Sequence, residues 1–262
     1  MILDKIRETK IIEVGQLYEA GNLSDWKQKA LDTPSKRGFL EALQRANHSP
    51  SLIAEIKKGS PSAGVIRENF DPVEIAKEYE LAGADCLSVL TDFEYFSGSN
   101  ENLQLVRNAV QIPLLRKDFI IDPVQVFESA ILGADAILII VRWLDETLIK
   151  VIFELANELD MDSLFETHNE SEISMAVRCG AKMIGVNNRD LDDFSTRLEL
   201  SESLLQLVPN GIHKISESAL KSRLDIEKVT QWGADSVLIG TAFCEKPSVF
   251  DAVNEMMPWS KV

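Results

Sequence analysis

Cysteine is scarce in this chain of 262 residues: Cys86, Cys179 and Cys244 are all there is. They lie far apart, are odd in number and sit in apolar or helical-looking sequence, which argues against a disulfide framework and supplies no metal-ligand spacing. They read as buried thiols in a reducing compartment. Long apolar runs are missing as well. The longest, AILIIV at 136–141, falls far short of a membrane span, and the opening MILDKIRETK lacks the apolar stretch of a signal peptide. The expectation is a cytoplasmic protein without a membrane partner. Positive charge is in deficit, with 27 Lys and Arg against 42 Asp and Glu and a net charge of −15. Such a surface repels phosphate backbones and anionic lipid, so no nucleic acid is expected as a partner, and an anionic small molecule needs a local basic pocket. No low-complexity linker divides the chain, and residues 1–262 are read as one domain.

What is present is a phrase that recurs four times: LAGADCLSVL at 81, ILGADAILII at 131, RCGAKMIGVN at 178 and QWGADSVLIG at 231. Each is a helical pattern stopped by glycine, a residue suited to leaving a helix in the left-handed conformation, followed by an unbroken apolar run. The glycines Gly83, Gly133, Gly180 and Gly233 are 47 to 53 residues apart, enough for two strand-helix units per repeat. The missing strands fall in the gaps: SLIAEIK (51–57), IPLLRKDF (112–119), DSLFET (162–167) and HKISES (213–218). Helical stretches lie between them, and DP at 71 and at 122 sets proline at a first helical position behind an Asp cap. Eight short apolar strands alternating with helices predict a parallel sheet buried on both faces, closed into a (β/α)8 TIM barrel, which fits a chain of this length. Residues 1–48 precede the first strand and are read as a helical extension, with helices at ILDKIRETKIIEV and FLEALQRA.

In such a barrel the chemistry sits at the carboxyl ends of the strands. Those ends carry Glu55 and Lys57, then Arg116, Lys117 and Asp118, then Glu166, then Glu217 and Ser218, with Asn187, Asn188 and Arg189 ending an even-numbered strand. A salt-bridge ring tying the rim together is the competing reading. As a set, however, so many desolvated charges suit proton transfer between groups that tune one another's pKa better than they suit structure alone. A second cluster, VLIGTAF at 237–243, runs from the last strand through Gly240 into a short helix near Thr241, the place where barrels often hold phosphate through backbone N–H groups. Ser60, in the loop after the first strand, offers a hydroxyl.

The motifs IAEIKKGSPSAG, LTDFEYFSGS, LLRKDFIIDPVQ, LFETHNE, IGVNNRDL and KISESAL, in this order and ending at LIGTAF, closely resemble the indole-3-glycerol-phosphate synthase family, over nearly the whole chain. The resemblance implies a carboxy-lyase of tryptophan biosynthesis that closes 1-(2-carboxyphenylamino)-1-deoxyribulose 5-phosphate to indole-3-glycerol phosphate with loss of carbon dioxide and water, using no metal and no organic cofactor. It implies Lys117 as general acid, Lys57 on the substrate carboxylate and in dehydration, Glu166 as general base and Glu55 as a carboxylate that orders the lysines. Asn187, Glu217 and Ser218 match polar site positions. Arg189 and Ser60, with the backbone at Gly240 and Thr241, match the phosphate environment, and Pro61, Phe96 and Phe119 the wall around the aromatic ring. The expected partner is a phosphorylated small molecule, bound by a monomer. Two positions depart from the family's usual residues: Ala219 stands where glycine is usual, and Gly59 stands where Lys or Ala is common and is expected to loosen its loop.

Overall fold

The computed structural model describes residues 2–61, 63–190 and 192–259. Eight strands close into a barrel in which every neighbouring pair is parallel: β1 (Ser51–Ile56), β4 (Cys86–Leu90), β5 (Leu114–Lys117), β6 (Ala136–Ile140), β7 (Asp162–Thr167), β8 (Met183–Asn187), β9 (His213–Glu217) and β10 (Ser236–Ile239), with β10 returning to β1. The closing pair registers Ser51 against Ser236 and Ala54 against Ile239. Closure leaves no strand edge open and buries both faces of the sheet, which is why the strands read as continuous apolar runs.

Helices α4 (Pro72–Leu81), α5 (Asn100–Ala109), α6 (Pro123–Leu132), α7 (Glu146–Glu158), α8 (Glu170–Arg178), α9 (Glu199–Leu204), α10 (Arg223–Gln231) and α12 (Val249–Met256) alternate with them, and a short α11 (Thr241–Cys244) follows β10. Asp71 caps α4 by accepting from the Val73 and Glu74 amides, and Asp122 with Gln125 forms a reciprocal capping box on α6, each ahead of the expected proline. The four repeat glycines have φ between 89° and 103°, the left-handed region that lets each chain leave its helix and turn directly into a strand. All three cysteine thiols are buried and unpaired.

The extension ahead of the barrel differs from the sequence reading in two ways. Among the described residues it holds three helices, α1 (Ile2–Ala20), α2 (Leu23–Leu31) and α3 (Phe39–Arg45); α2, in LSDWKQKAL, was not expected, and it buries only Ala30. Nor does α1 follow its apparent apolar pattern, since Ile11 and Ile12 are exposed while Ile6 and Lys10 are its two buried residues. The loop after β1 folds into a small antiparallel ladder, β2 (Gly59–Ser60) with β3 (Gly64–Val65). Gly59 therefore does not loosen this loop. It is buried and paired with Val65, and a Cβ there would meet the Gly64 carbonyl oxygen at 2.8 Å.

Candidate active site

Four strand ends converge at the carboxyl mouth of the barrel. Because side chains alternate along a strand, Glu55 on β1 and Lys57 just past it share the inner face, and their carboxylate and ammonium meet at 2.7 Å. On β5 the same alternation separates neighbours. Lys117 enters the mouth, whereas Arg116 turns outward to the Ser129 hydroxyl, the Gln125 carbonyl and Glu128 between the helices. Arg116, expected at the mouth, therefore lies outside it. Asp118 borders the mouth but commits its oxygens to Arg116, Thr91 and Lys10.

Lys117 is the hub. Its Nζ lies 2.9 Å from Glu166 Oε2 on β7 and 3.8 Å from Glu217 Oε2 on β9. Burial alone pulls an amine pKa down, but Glu166, Glu217 and Glu55 outweigh it and hold the Lys117 ammonium above its ordinary range. The two acids are driven apart by their surroundings. Burial raises Glu166, yet Lys117, His168 and a hydrogen bond from Asn187 bring it below the usual carboxylate value. Glu217, also fully buried, gains less from Lys117 and feels Glu166 and Glu55, so burial pushes it up to about 8. One carboxylate is charged and its neighbour protonated at neutral pH, an arrangement suited to acid-base work. Glu217 Oε1 is buried without a hydrogen-bond partner among the described residues.

Two cavities open from this centre. A cleft of about 720 Å³ is lined by Glu55, Lys57, Lys117 and Glu217, by Arg189 and Ser218, and by Gly240 and Thr241. The smaller one is apolar on the side bounded by Pro61, Phe96, Phe119, Leu138 and Ile140, and reaches Lys57, Lys117, Glu166 and Asn187. Phe96 and Phe119 have ring centroids 5.9 Å apart, and Phe119 stacks on Trp143 at 4.9 Å. Ser60 borders this apolar cavity and not the outer cleft with Gly240 and Thr241. Ser218 and Ala219 both have φ of 63°, so the loop after β9 turns through two successive left-handed residues, neither of them glycine. Gly240 lets the last loop pass against Glu55; a Cβ there would stand 2.5 Å from Glu55 Oε1.

Three neighbours of the centre escaped sequence reasoning. His168 Nε2 is 3.6 Å from Glu166 Oε1 while its Nδ1 faces Glu172 at 3.3 Å; it lies inside LFETHNE but carries no signal of direction. Gly185 on β8 leaves the room that the Glu217 side chain occupies, and a glycine inside a strand is the kind of signal that marks close approach. Phe194 borders both cavities and its carbonyl accepts from Arg189 at 3.0 Å.

Comparison with known proteins agrees with this geometry. The family model described as indole-3-glycerol phosphate synthase matches residues 3–256. An indole-3-glycerol phosphate synthase of Chlorobium phaeovibrioides is 48% identical over 238 residues, covering 91% of this chain and 92% of the relative. That of Rhodospirillum rubrum is 44% identical over 259 residues, 98% of each. Among solved structures, the N-acetylmannosamine-6-phosphate 2-epimerase of Clostridium perfringens superposes with a TM-score of 0.58 at 14% identity, over 73% of this chain and 86% of its own; at that distance the likeness shows the barrel fold alone. With the ordered motifs, the convergent charges and a match over nearly the full length in agreement, the chain belongs to the indole-3-glycerol phosphate synthase family.

Proposed function

We propose that this protein closes 1-(2-carboxyphenylamino)-1-deoxyribulose 5-phosphate to indole-3-glycerol phosphate, with loss of carbon dioxide and water, as a carboxy-lyase of tryptophan biosynthesis. The observation that carries the reading is the placement of Lys117, 2.9 Å from Glu166 and 3.8 Å from Glu217, on the lining of both an apolar cavity and a cleft that includes the backbone at Gly240 and Thr241.

The aryl ring fits the cavity bounded by Pro61, Phe96 and Phe119, and the phosphate the part of the cleft lined by Arg189 and the backbone at Gly240 and Thr241. Ser60 borders the aryl side and serves the ring end of the substrate, not the phosphate. Lys57 offers its charge to the substrate carboxylate while Glu55 orders it. In the first step the aryl carbon that bears the carboxylate attacks the ribulose carbonyl carbon, and Lys117 gives a proton to the carbonyl oxygen. The carboxyl group then leaves as carbon dioxide, and the electron pair of the broken bond restores the aromatic ring. In the second step the new hydroxyl leaves as water with a proton from an ammonium, and Glu166 takes a proton from the methylene carbon beside the nitrogen. Two protons are delivered and one is recovered, so each turnover draws one from water. A positioned acid or base of this kind contributes about 10² to 10⁴ in rate. Asn187, Glu217 and Ser218 hold the substrate hydroxyls, Glu217 as a neutral donor.

The reading extends to a monomer acting on a phosphorylated small molecule in the cytoplasm. Among the described residues no helix is long and apolar enough to cross a membrane. The test is to mix purified protein with the carboxyphenylamino-deoxyribulose phosphate, without added metal or cofactor, and follow indole fluorescence. A steady rise that the Lys117→Ala protein lacks supports the reaction and its acid; no rise from the wild-type protein overturns the reading.

A further inference from the structure

Lys10 belongs to the helical extension and not to the barrel, yet it is among the most deeply enclosed side chains of the protein, with 1% of its surface exposed. Its ammonium lies 2.8 Å from Asp118 Oδ1, 2.9 Å from Asp92 Oδ2 and 2.8 Å from Glu13 Oε2. Asp92 and Asp118 are themselves almost wholly buried; Asp118 directly follows β5 and Asp92 lies two positions past the end of β4. An amine taken so far from water is retained only where several carboxylates face it, and removing it leaves those carboxylates buried and uncompensated.

Each of these two carboxylates has a second task. Asp92 Oδ1 accepts from the Tyr95 and Phe96 amides at 2.8 and 3.2 Å. Asp118 Oδ1 accepts from the Phe119 amide at 2.8 Å. Both therefore fix the backbone from which the aromatic wall projects. Other side chains of α1 reach the same wall: Thr9 Oγ1 is 3.1 Å from the Tyr95 hydroxyl, and Arg7 donates to the carbonyl of Trp143, the residue stacked on Phe119.

We propose that Lys10 is a positioning residue for the aryl cavity: its charge holds Asp92 and Asp118 in the orientation that places Phe96 and Phe119, and so sets affinity for the carboxyphenyl end of the substrate. Lys10 touches no substrate atom in this scheme. The proposal rests on the reading of Phe96 and Phe119 as the wall of the aryl site. Lys10 lies on the same face of α1 as the buried Ile6, and turning that face inward leaves Ile11 and Ile12 exposed.

The experiment compares binding of two probes to the folded full-length protein: the substrate reduced at its carbonyl, which keeps the aryl group, and inorganic phosphate, which lacks it. Lys10→Met, of similar length and without charge, is expected to weaken the aryl probe about tenfold, to raise KM by a similar factor and to leave phosphate affinity and kcat within about twofold. Adding Asp92→Asn, which removes one uncompensated charge but keeps the oxygen facing the Phe96 amide, is expected to recover part of the aryl affinity. Unchanged aryl affinity in folded Lys10→Met, or equal loss of aryl and phosphate affinity, overturns the proposal. Should Lys10→Met not fold, Lys10→Arg, which keeps the charge but enlarges the ion, is read by the same two probes. Phe119→Ala separates the two levels. If it leaves aryl affinity intact, the aryl-site reading fails; if it weakens the aryl probe and Lys10→Met does not, the Lys10 proposal alone fails.

Discussion

The side chain of Glu217 fills the space that a Cβ on Gly185 would occupy, so a glycine on β8 makes room for an acid on β9. The two residues are opposite in role, one supplying a functional group and the other only its absence of bulk. Gly185→Ala is expected to displace Glu217 from Lys117 and to lower kcat at least tenfold. The fold loses about 1–3 kcal/mol, as overpacked cores do. Steady-state kinetics beside thermal denaturation check this, and undiminished kcat shows that Glu217 is free to move without consequence.

Lys117→Ala removes the ammonium that Glu166 and Glu217 share. Indole formation is expected to fall by about 10² to 10⁴, with the fold intact by circular dichroism. Turnover at the wild-type rate sinks the assignment of Lys117 as acid.

Glu166→Gln keeps the shape of the side chain and removes its basicity. The expected result is a fall in kcat larger than any change in substrate affinity, read by single-turnover kinetics against binding of the reduced substrate. Equal losses in the two contradict a base that acts only after the ring has closed.

Glu217 also gives stability a pH dependence. Its folded-state pKa of about 8 stands above the ordinary 4.5 because burial disfavours the charged form. The folded protein therefore holds this proton more tightly than the unfolded chain. The contribution is full below about 4.5 and is lost as the pH rises through about 8. Urea denaturation between pH 5 and 9 should show Glu217→Gln losing less stability with rising pH than the wild type. Parallel profiles for the two proteins contradict a protonated Glu217.

Ala219 has φ of 63°, a conformation in which a Cβ is strained. Ala219→Gly is expected to stabilise the protein by about 1 kcal/mol, visible as a rise of about 2–4 °C in Tm. A lower Tm indicates that the methyl group makes contacts worth more than the strain.

Much of this molecule was legible in its sequence because the signals were local. A glycine at the end of four helices, an Asp-Pro at two helix starts and an apolar run of strand length each act within a few residues, so they announce the alternation of strand and helix and hence the barrel. Alternation along β1 puts Glu55 and Lys57 on one face, as the structure has them. The same rule, applied to β5, separates Arg116 from Lys117, but the sequence carries no mark of which of the two faces inward. Helix α2 has apolar residues at helical spacing, Leu23, Trp26 and Ala30, but it is only nine residues long and packs on α6, too short a pattern to announce a helix by itself.

The chain alone determined the order of strands and helices, the motifs and the set of acids and amines at the strand ends, since each depends on neighbours in sequence. Only the tertiary structure decided that Glu166 is charged and Glu217 protonated, that Gly185 makes room for Glu217, and that Lys10 reaches Asp118 across 108 positions of chain. Those outcomes depend on burial and on distances of a few ångströms between residues that the sequence keeps far apart, and charge and volume are felt through space, not along the chain.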